Sequence, residues 1–147
     1  MAGPNATLLF DSPENPLDKA AFARLNNKIT YETNKKVPIF SCVPQDIKFP
    51  YIRIGEKYGY EWKAKNVYGE SITYTVHAFS NYKGVDEINS IASQVKTQLS
   101  GNYLDLANAG FSHIITNMIG TNILEDEPGD PDVQHAIIKI EFKIFKN

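Results

Sequence analysis

The last segment of the chain, HAIIKIEFKIF (residues 135–145), alternates apolar and charged residues. The apolar side chains share one parity and the charged ones the other: Ile138, Ile140, Phe142 and Ile144 against Lys139, Glu141 and Lys143. A strand with this period of two buries one face and leaves the other in water, as in an antiparallel sheet. The segment therefore predicts a sheet with a single covered face.

Four earlier segments are predicted to supply the other strands. They are PIFSCV (38–43), YIRIGEKYGYEW (51–62), SITYTVHAFS (71–80) and FSHIITNMI (111–119). A hairpin turn is expected near residues 65–69, between the second and third of these strands. Pro44 and Pro50 cannot donate a hydrogen bond to a neighbouring strand, so we expect them before the second strand or on an edge.

Two segments have the period of a helix. The first is expected to begin with Asn15 as N-cap and Pro16 as first helical residue, and to fade between Tyr31 and Asn34. The second spans residues 85–99 and is expected to close on Gly101 as a left-handed cap. Lys35 and Lys36 would then favour the negative end of the first helix.

The order of these segments predicts an α+β fold, with a single antiparallel-rich sheet packed by two helices on one face. We expect residues 15–147 to form one domain, because a chain of 147 residues suits one core. Residues 1–14 hold few apolar anchors and are interpreted as a flexible N-terminal arm.

Composition excludes several classes of function. The net charge is −2 and the pI is about 5.9, which does not favour a protein that binds nucleic acid through phosphates. Cys42 is the single cysteine, so the chain alone can form neither a disulfide nor a thiolate zinc site, and we expect Cys42 to be a small buried residue. No signal peptide or membrane span is indicated.

No motif for catalysis, cofactor binding or metal binding is found, so the sequence predicts no enzyme and no cofactor. His77, His113 and His135 each lie in a predicted strand without the spacing of a metal site, and they are expected at a sheet surface or interface. The acidic segment EDEPGDPD lacks the register of a calcium loop. It is interpreted as a solvated turn, or as a loop that repels DNA or docks on a basic partner: Glu125, Asp126, Glu127, Asp130 and Asp132.

Three segments carry a family resemblance: VPQDIKFPYIRIGE (43–56), TYTVHAFSNYKGVDEINSIASQVKTQL (73–99) and QHAIIKIEFKI (134–144). Their order and spacing resemble the small tail-completion, or tail-terminator-like, proteins of long-tailed bacteriophages and prophages. The positions that match are Val43, Pro44, Pro50, Tyr51, Ile52, Ile54, Gly55, Glu56, His77, Ser80, Gly84, Leu99 and His135. The resemblance covers about residues 37–145.

The resemblance implies a structural virion protein, made in the bacterial cytoplasm, which forms a ring at the head-proximal end of the tail tube. The implied ring is a hexamer, and its implied partners are further copies of the chain, the major tail tube protein and a head connector or completion protein. DNA would pass through the lumen without specific binding, and no membrane is involved.

A surplus of tyrosine suits protein interfaces. We therefore predict that Tyr51, Tyr58, Tyr60 and Trp62 contribute to a subunit or tube interface, and that the acidic segment lies in the lumen or on the rim. Two alternatives stay open: a head-completion or neck adaptor protein, and a small cytoplasmic enzyme or ligand-binding protein that uses His77 and His113 on the open sheet face.

Overall fold

The computed structural model describes residues 14–64, 67–101, 104–125 and 132–147. Its elements, in chain order, are α1 (Glu14–Leu25), β1 (Thr30–Tyr31), β2 (Lys35–Lys36), β3 (Ile39–Phe40), β4 (Tyr51–Ala64), β5 (Val67–Ser80), α2 (Asp86–Ser100), a single 3₁₀ turn (Ala107–Ala109), β6 (Phe111–Leu124) and β7 (Gln134–Lys146). This composition confirms the predicted α+β class.

The main sheet has five strands in the order β3-β4-β5-β7-β6. All pairs among the four long strands are antiparallel, whereas β3 is parallel to β4 over a two-residue register. β1 and β2 form a separate two-stranded sheet. The predicted sheet is confirmed, and its antiparallel part is formed by strands of 13 or 14 residues.

Alternate residues of the long strands pack against both helices. On β5 these are Ile72, Tyr74, Val76 and Ala78, and on β7 they are Ala136, Ile138, Ile140, Phe142 and Ile144. From α2 the same core receives Ile88, Ile91, Ala92, Val95 and Leu99, and from α1 it receives Leu17, Ala21 and Leu25. One face of the sheet is therefore covered by helices, and we call the opposite side the open face.

The helix α2 was predicted almost at its observed bounds because its apolar residues recur at steps of three and four. Gly101 is the C-cap residue as predicted, but its predicted left-handed conformation is wrong, since it has φ −71° and ψ −37° and continues the helical geometry. Ser80, at the end of β5, donates a hydrogen bond to the Glu87 carboxylate at 2.8 Å. This contact ties the first turn of α2 to the end of the strand that precedes it.

The first helix is shorter than predicted. It begins at Glu14, so the predicted N-cap at Asn15 is wrong and Asn15 lies within the helix. It ends at Leu25, because Asn27 adopts a left-handed φ of 62° and turns the chain away from the helix axis. Ile29 continues the apolar spacing and is fully buried, which explains why the sequence favoured a longer helix. Lys35 and Lys36 accordingly lie in β2, and Lys35 pairs with Glu32 at 2.8 Å.

Two further expectations about the segment before β4 are corrected. The predicted strand over residues 38–43 is reduced to Ile39–Phe40, and Cys42 beyond it is exposed rather than buried. Pro50 comes directly before β4 as predicted, after a cis peptide bond with Phe49. In the part of the chain that the structure describes, no helix is long and apolar enough to cross a membrane.

Candidate functional site

The open face carries the residues that give the sheet its polar chemistry. Directly paired residues of neighbouring strands lie on the same face, so the register shows which residues share the open face. We call a row of directly paired residues that crosses the strands a rung. One rung of paired residues runs Tyr51, Phe79, His135 and Leu124 across β4, β5, β7 and β6. Another, towards the opposite end of the sheet, runs Tyr60, Ser71, Lys143 and Ile115.

Two of the three histidines meet on this face. Nδ1 of His77 lies 2.7 Å from Nε2 of His135, and both side chains are buried. On its other side, Nε2 of His77 lies 2.7 Å from a carboxylate oxygen of Glu56, whose side chain is 68% exposed. The three side chains form a hydrogen-bonded chain from the surface into the sheet.

The carboxylate fixes the direction of this chain. An ionised Glu56 can only accept, so Nε2–H of His77 donates to it. When His77 is neutral, its Nδ1 accepts and Nε2–H of His135 donates. The hydrogen bond from His77 lowers the pKa of the Glu56 carboxyl below its usual value of 4.5. The arrangement holds both rings in fixed tautomers.

Gly55 lies directly beside the His77 ring. A Cβ at Gly55 would come within 2.5 Å of Cδ2 of His77 and 3.1 Å of the Thr75 carbonyl oxygen. A side chain at residue 55 would therefore displace the ring from its hydrogen bonds. The G-E pair of the resemblance thus has a physical role, since Gly55 admits the ring and Glu56 binds it.

An aromatic stack continues from the histidines. His135 and Phe79 stack with their ring centroids 4.3 Å apart, and Phe79 stacks on Tyr51 at 4.9 Å. Phe49 contacts Tyr51 at 5.5 Å. Tyr51 is therefore half-buried in a stack within the subunit, and it stands apart from the other three aromatics proposed for an interface.

Those three aromatics lie in the second half of β4. Tyr58 is 68% exposed and Tyr60 46% exposed, with their ring centroids 6.3 Å apart. Trp62 packs on Phe145 at 4.5 Å, and the Lys143 ammonium lies 5.9 Å from its ring centroid. The structure thus places the predicted interface residues on one face but divides them between its two ends.

A polar cluster lies beside Tyr60. The Ser71 hydroxyl donates to one Glu141 oxygen at 2.7 Å, and the Asn117 amide donates to the other at 2.9 Å. Asn117 first and Ser71 next lower the pKa of the Glu141 carboxyl below its usual value, with a smaller contribution from Tyr60. This carboxylate joins β5, β7 and β6 through side chains.

The acidic segment joins β6 to β7 at the Tyr51 end of the sheet, since Leu124 pairs with His135 across these strands. Glu125 and Asp132 are exposed. The other predicted members lie outside the described residues: Asp126, Glu127 and Asp130. The sheet therefore has the acidic connection at one end and the β4–β5 hairpin with Trp62 at the other.

His113 does not join the other histidines. It pairs with Ile144 on the helix-covered face, where its ring meets Phe142 edge-on. The Leu104 backbone N–H donates to its Nδ1 at 2.8 Å, and burial lowers the pKa of the imidazole. His77 and His113 thus lie on opposite faces of the sheet and do not form the shared site that the enzyme alternative needs.

No three histidine, cysteine or acidic side chains come close enough to hold a metal ion in the described ranges 14–64, 67–101, 104–125 and 132–147. An open cavity of about 500 Å³ lies between α1 and β4, with a lining that includes Asp18, Lys19, Gly55 and Lys57 but no histidine.

The sequence predicts His77 and His135 at a sheet surface or interface; they lie on the open face but are buried within the subunit, and the sequence gives no signal that they meet. The missing information was the register of β5 on β7. Glu56 was noticed only through the resemblance, because nothing in its spacing links residue 56 to residue 77.

Comparisons with known proteins agree with the resemblance. A family model described as "Tail completion protein gp17" matches residues 28–144. The tail completion protein gp17 of Bacillus phage SPP1 is 28% identical over 103 residues, which cover 70% of this chain and 73% of that protein. A chain in the solved virion of a native gene transfer agent particle aligns with a TM-score of 0.63 and 13% identity, over 73% of this chain and 78% of that chain. The last comparison shows a shared fold.

Proposed function

Because this chain belongs to the tail completion protein gp17 family, structural proteins of the bacteriophage virion, we propose that it completes the tail tube as a ring at its head-proximal end. The family match covers residues 28–144, which include α2, the strands β1 to β6 and all but the last two residues of β7. The proposed ring contains six copies. It stops tube growth and takes part in joining the tail to the head.

The observation that carries this proposal is the chemical difference between the two ends of one long sheet. The β4–β5 end presents Tyr58, Tyr60 and Trp62, whereas the β6–β7 connection brings Glu125 and Asp132 to the opposite end. A strand of 14 residues spans roughly 46 Å. The two ends can therefore meet different partners at the same time.

The chemical difference between the two ends of the sheet accounts for the termination of tube growth. A tube grows by head-to-tail contacts, and growth ends when a closed ring covers the last contact without offering an identical one. In the proposed arrangement one end of the sheet contacts the major tail tube protein and the other contacts the head connector or completion protein. The acidic segment lies on the rim or in the lumen, where its charge lets DNA pass without binding.

The histidine pair fits a structural role. His77 and His135 are 6% and 8% exposed, and they bond to each other and to Glu56. A proton-transfer catalyst needs a ring nitrogen directed at a substrate. We propose that the protein acts through its shape, and that the hydrogen-bonded histidines hold β4, β5 and β7 in register.

The proposal is tested by deleting the gene from its phage and imaging the particles by negative stain. Termination predicts overlong tubes, and the wild-type gene supplied in trans restores tails of normal length. Tails of normal length on infectious particles would contradict it. Tails of normal length that remain detached would instead indicate the neck adaptor alternative.

Two substitution sets test the ends separately. Trp62→Lys combined with Tyr58→Lys should disturb contacts at the aromatic end, and replacement of the five acids by serine should disturb the acidic end. Ser93→Lys on the exposed side of α2 is the matched control. If each set changes tail length or head joining independently, the ends have separate partners, whereas wild-type infectivity of both sets would contradict the assignment.

A further inference from the structure

We propose that neighbouring copies in the ring join edge to edge, with the outer edge of β6 in one copy pairing antiparallel with the outer edge of β4 in the next. This inference rests on the proposed ring and specifies the surface that closes it. The occupant of each edge is a second copy of this chain. Four features of the subunit favour this contact: the composition of β6, the exposure of β4, the directions of the strands and the register of their pairing.

The outer strand β6 lacks the features that keep a sheet edge solitary. Its 14 residues, FSHIITNMIGTNIL, contain no lysine, arginine, aspartate or glutamate. Monomeric proteins place charges or proline on long edge strands to prevent pairing with another chain. Instead, β6 exposes apolar side chains along its length: Ile115 is 42% exposed, Met118 39%, Ile119 54% and Leu124 37%.

Two bulges interrupt the pairing of β6 with β7, at His113/Ile115 and at Met118/Gly120. Bulges can twist an edge away from a partner. Here the second bulge directs the extra residue, Ile119, into solvent, where it is the most exposed of the large apolar residues on β6. The second bulge therefore adds an exposed apolar side chain to this edge and no charge.

The other edge of the sheet is also open. β3 pairs with β4 only at Ile52 and Arg53, so the rest of β4 has no outer neighbour among the described strands. Tyr58 and Tyr60 are the exposed aromatic residues of this stretch. Its lysines are paired within the subunit, Lys57 with Asp18 and Lys63 with Glu61. Aromatic and β-branched side chains make favourable cross-strand pairs, and β6 offers isoleucines.

Strand direction allows the two edges to join. Each of the successive pairs β4–β5, β5–β7 and β7–β6 is antiparallel, so β4 and β6 of one copy run in opposite directions. A copy placed beside β6 by rotation about an axis along the strands presents its β4 antiparallel to that β6. The alternating pattern of the sheet then continues across the subunit boundary.

The register brings complementary side chains to the same level. The rung that begins at Tyr60 on β4 passes through Ser71 and Lys143 and ends at Ile115 on β6. All four residues lie on the open face. A shift of two residues between copies keeps this face, whereas a shift of one would turn the tyrosines to the other side.

The two edges differ from each other, and this favours a ring. Pairing of β6 with a second β6 would be isologous and would end at a dimer. Pairing of β6 with β4 is heterologous, so each copy keeps one free edge until the ring closes. The edge contact therefore supplies the head-to-tail association that a closed ring requires.

Disulfide crosslinking in assembled virions tests the contact. In a Cys42→Ser background, Ile115→Cys is combined in turn with Tyr58→Cys, Tyr60→Cys or Trp62→Cys, which sample three registers on the open face. The genes complement a phage that lacks its own copy, and oxidised virions are analysed by denaturing electrophoresis without reductant. Each single cysteine and the pair Ile115→Cys with Ser93→Cys are controls.

One of the three pairs is expected to give a ladder of multimers whose largest member reports the ring number. Absence of a ladder from all three pairs, in infectious virions that contain the protein, would overturn the edge contact and leave the ring proposal standing. A dimer from Ile115→Cys alone would also overturn it, because it would show β6 against β6. Loss of the protein from normal tails would instead count against the proposed function.

A charge on β6 provides a test that does not depend on crosslinking. Ile115→Lys should lower the plaque titre by roughly 100-fold or more, because a lysine on an edge strand opposes pairing with a further strand. The purified variant should unfold in urea as the wild type does, since the side chain is exposed in the single subunit. A wild-type titre for Ile115→Lys would overturn the inference, and Ser93→Lys is the matched control.

Discussion

His77 and His135 lie 2.7 Å apart through Nδ1 of the first and Nε2 of the second, so β5 and β7 are joined by side chains as well as by their backbone. The exposed Glu56 carboxylate completes the chain from β4. Three strands of the open face are therefore fixed relative to one another by two hydrogen bonds. Several measurable consequences follow from this and from neighbouring contacts.

Replacement of Gly55 by alanine should destabilise the protein by about 1–3 kcal/mol, because the new Cβ would meet the His77 ring at 2.5 Å. Urea unfolding followed by circular dichroism measures the change. Gly120→Ala is the matched control, since Gly120 is also in a strand and a Cβ there would meet nothing within 4 Å. Equal stability of both variants would show that the His77 ring moves without cost.

His135→Phe should lower the free energy of unfolding by about 1–3 kcal/mol. Phenylalanine keeps the stack on Phe79, but it leaves Nδ1 of buried His77 without its donor. His135→Gln offers an amide N–H in place of the ring N–H, so it should recover part of the lost stability. It also loses the ring stack, and the cost of that loss is measured separately with Phe79→Leu. A His135→Phe protein as stable as wild type would contradict the assigned hydrogen bond.

The lowered pKa of Glu141 predicts that the stability of the protein depends on pH. Its pKa is lowered in the folded state, so it contributes stability above its ordinary value of 4.5 and loses it as the pH falls through the folded value. The stability difference between wild type and Glu141→Gln should therefore be larger at pH 7 than in acid. A difference that stays constant during acidification would show that hydrogen bonds from Asn117 and Ser71 do not favour the carboxylate.

Tyr74 connects the sheet to α1. Its buried hydroxyl donates to Asp18 at 2.9 Å, and burial raises its pKa. Tyr74→Phe should cost about 0.5–1.5 kcal/mol, measured by urea unfolding. Lys57 also contacts this carboxylate, at 3.0 Å, so Lys57→Met provides a comparison at a more exposed position and should cost less.

Periodicity predicted the main strands and α2 because it records which side chains are buried. It failed at Ile29, where a buried residue continues the helical spacing after Asn27 has turned the chain. It also failed at Cys42, since its short predicted strand is paired at only two residues and leaves the cysteine outside. Patterns along the chain report burial, but they do not report where the backbone changes direction.

The open face was predicted less completely, because its contacts depend on register between strands distant in sequence. The tyrosines of β4 were selected for their number, and the sequence did not predict that the pairing of Tyr58 with Thr73 and of Tyr60 with Ser71 puts both on the open face. The junction of His77 with His135 required the observed alignment of β5 on β7. The participation of the β4 tyrosines in an interface stays a prediction.

The uncharged composition of β6 also has a consequence for the infected cell. If copies join through β6 as proposed, this strand is equally able to pair with an unrelated chain before the ring has assembled. Synthesis in excess of available tubes would then lead to insoluble deposits, and supply matched to tube number would keep the subunits in particles. On this proposal, the uncharged edge of β6 limits how much of the protein a cell can make without aggregation.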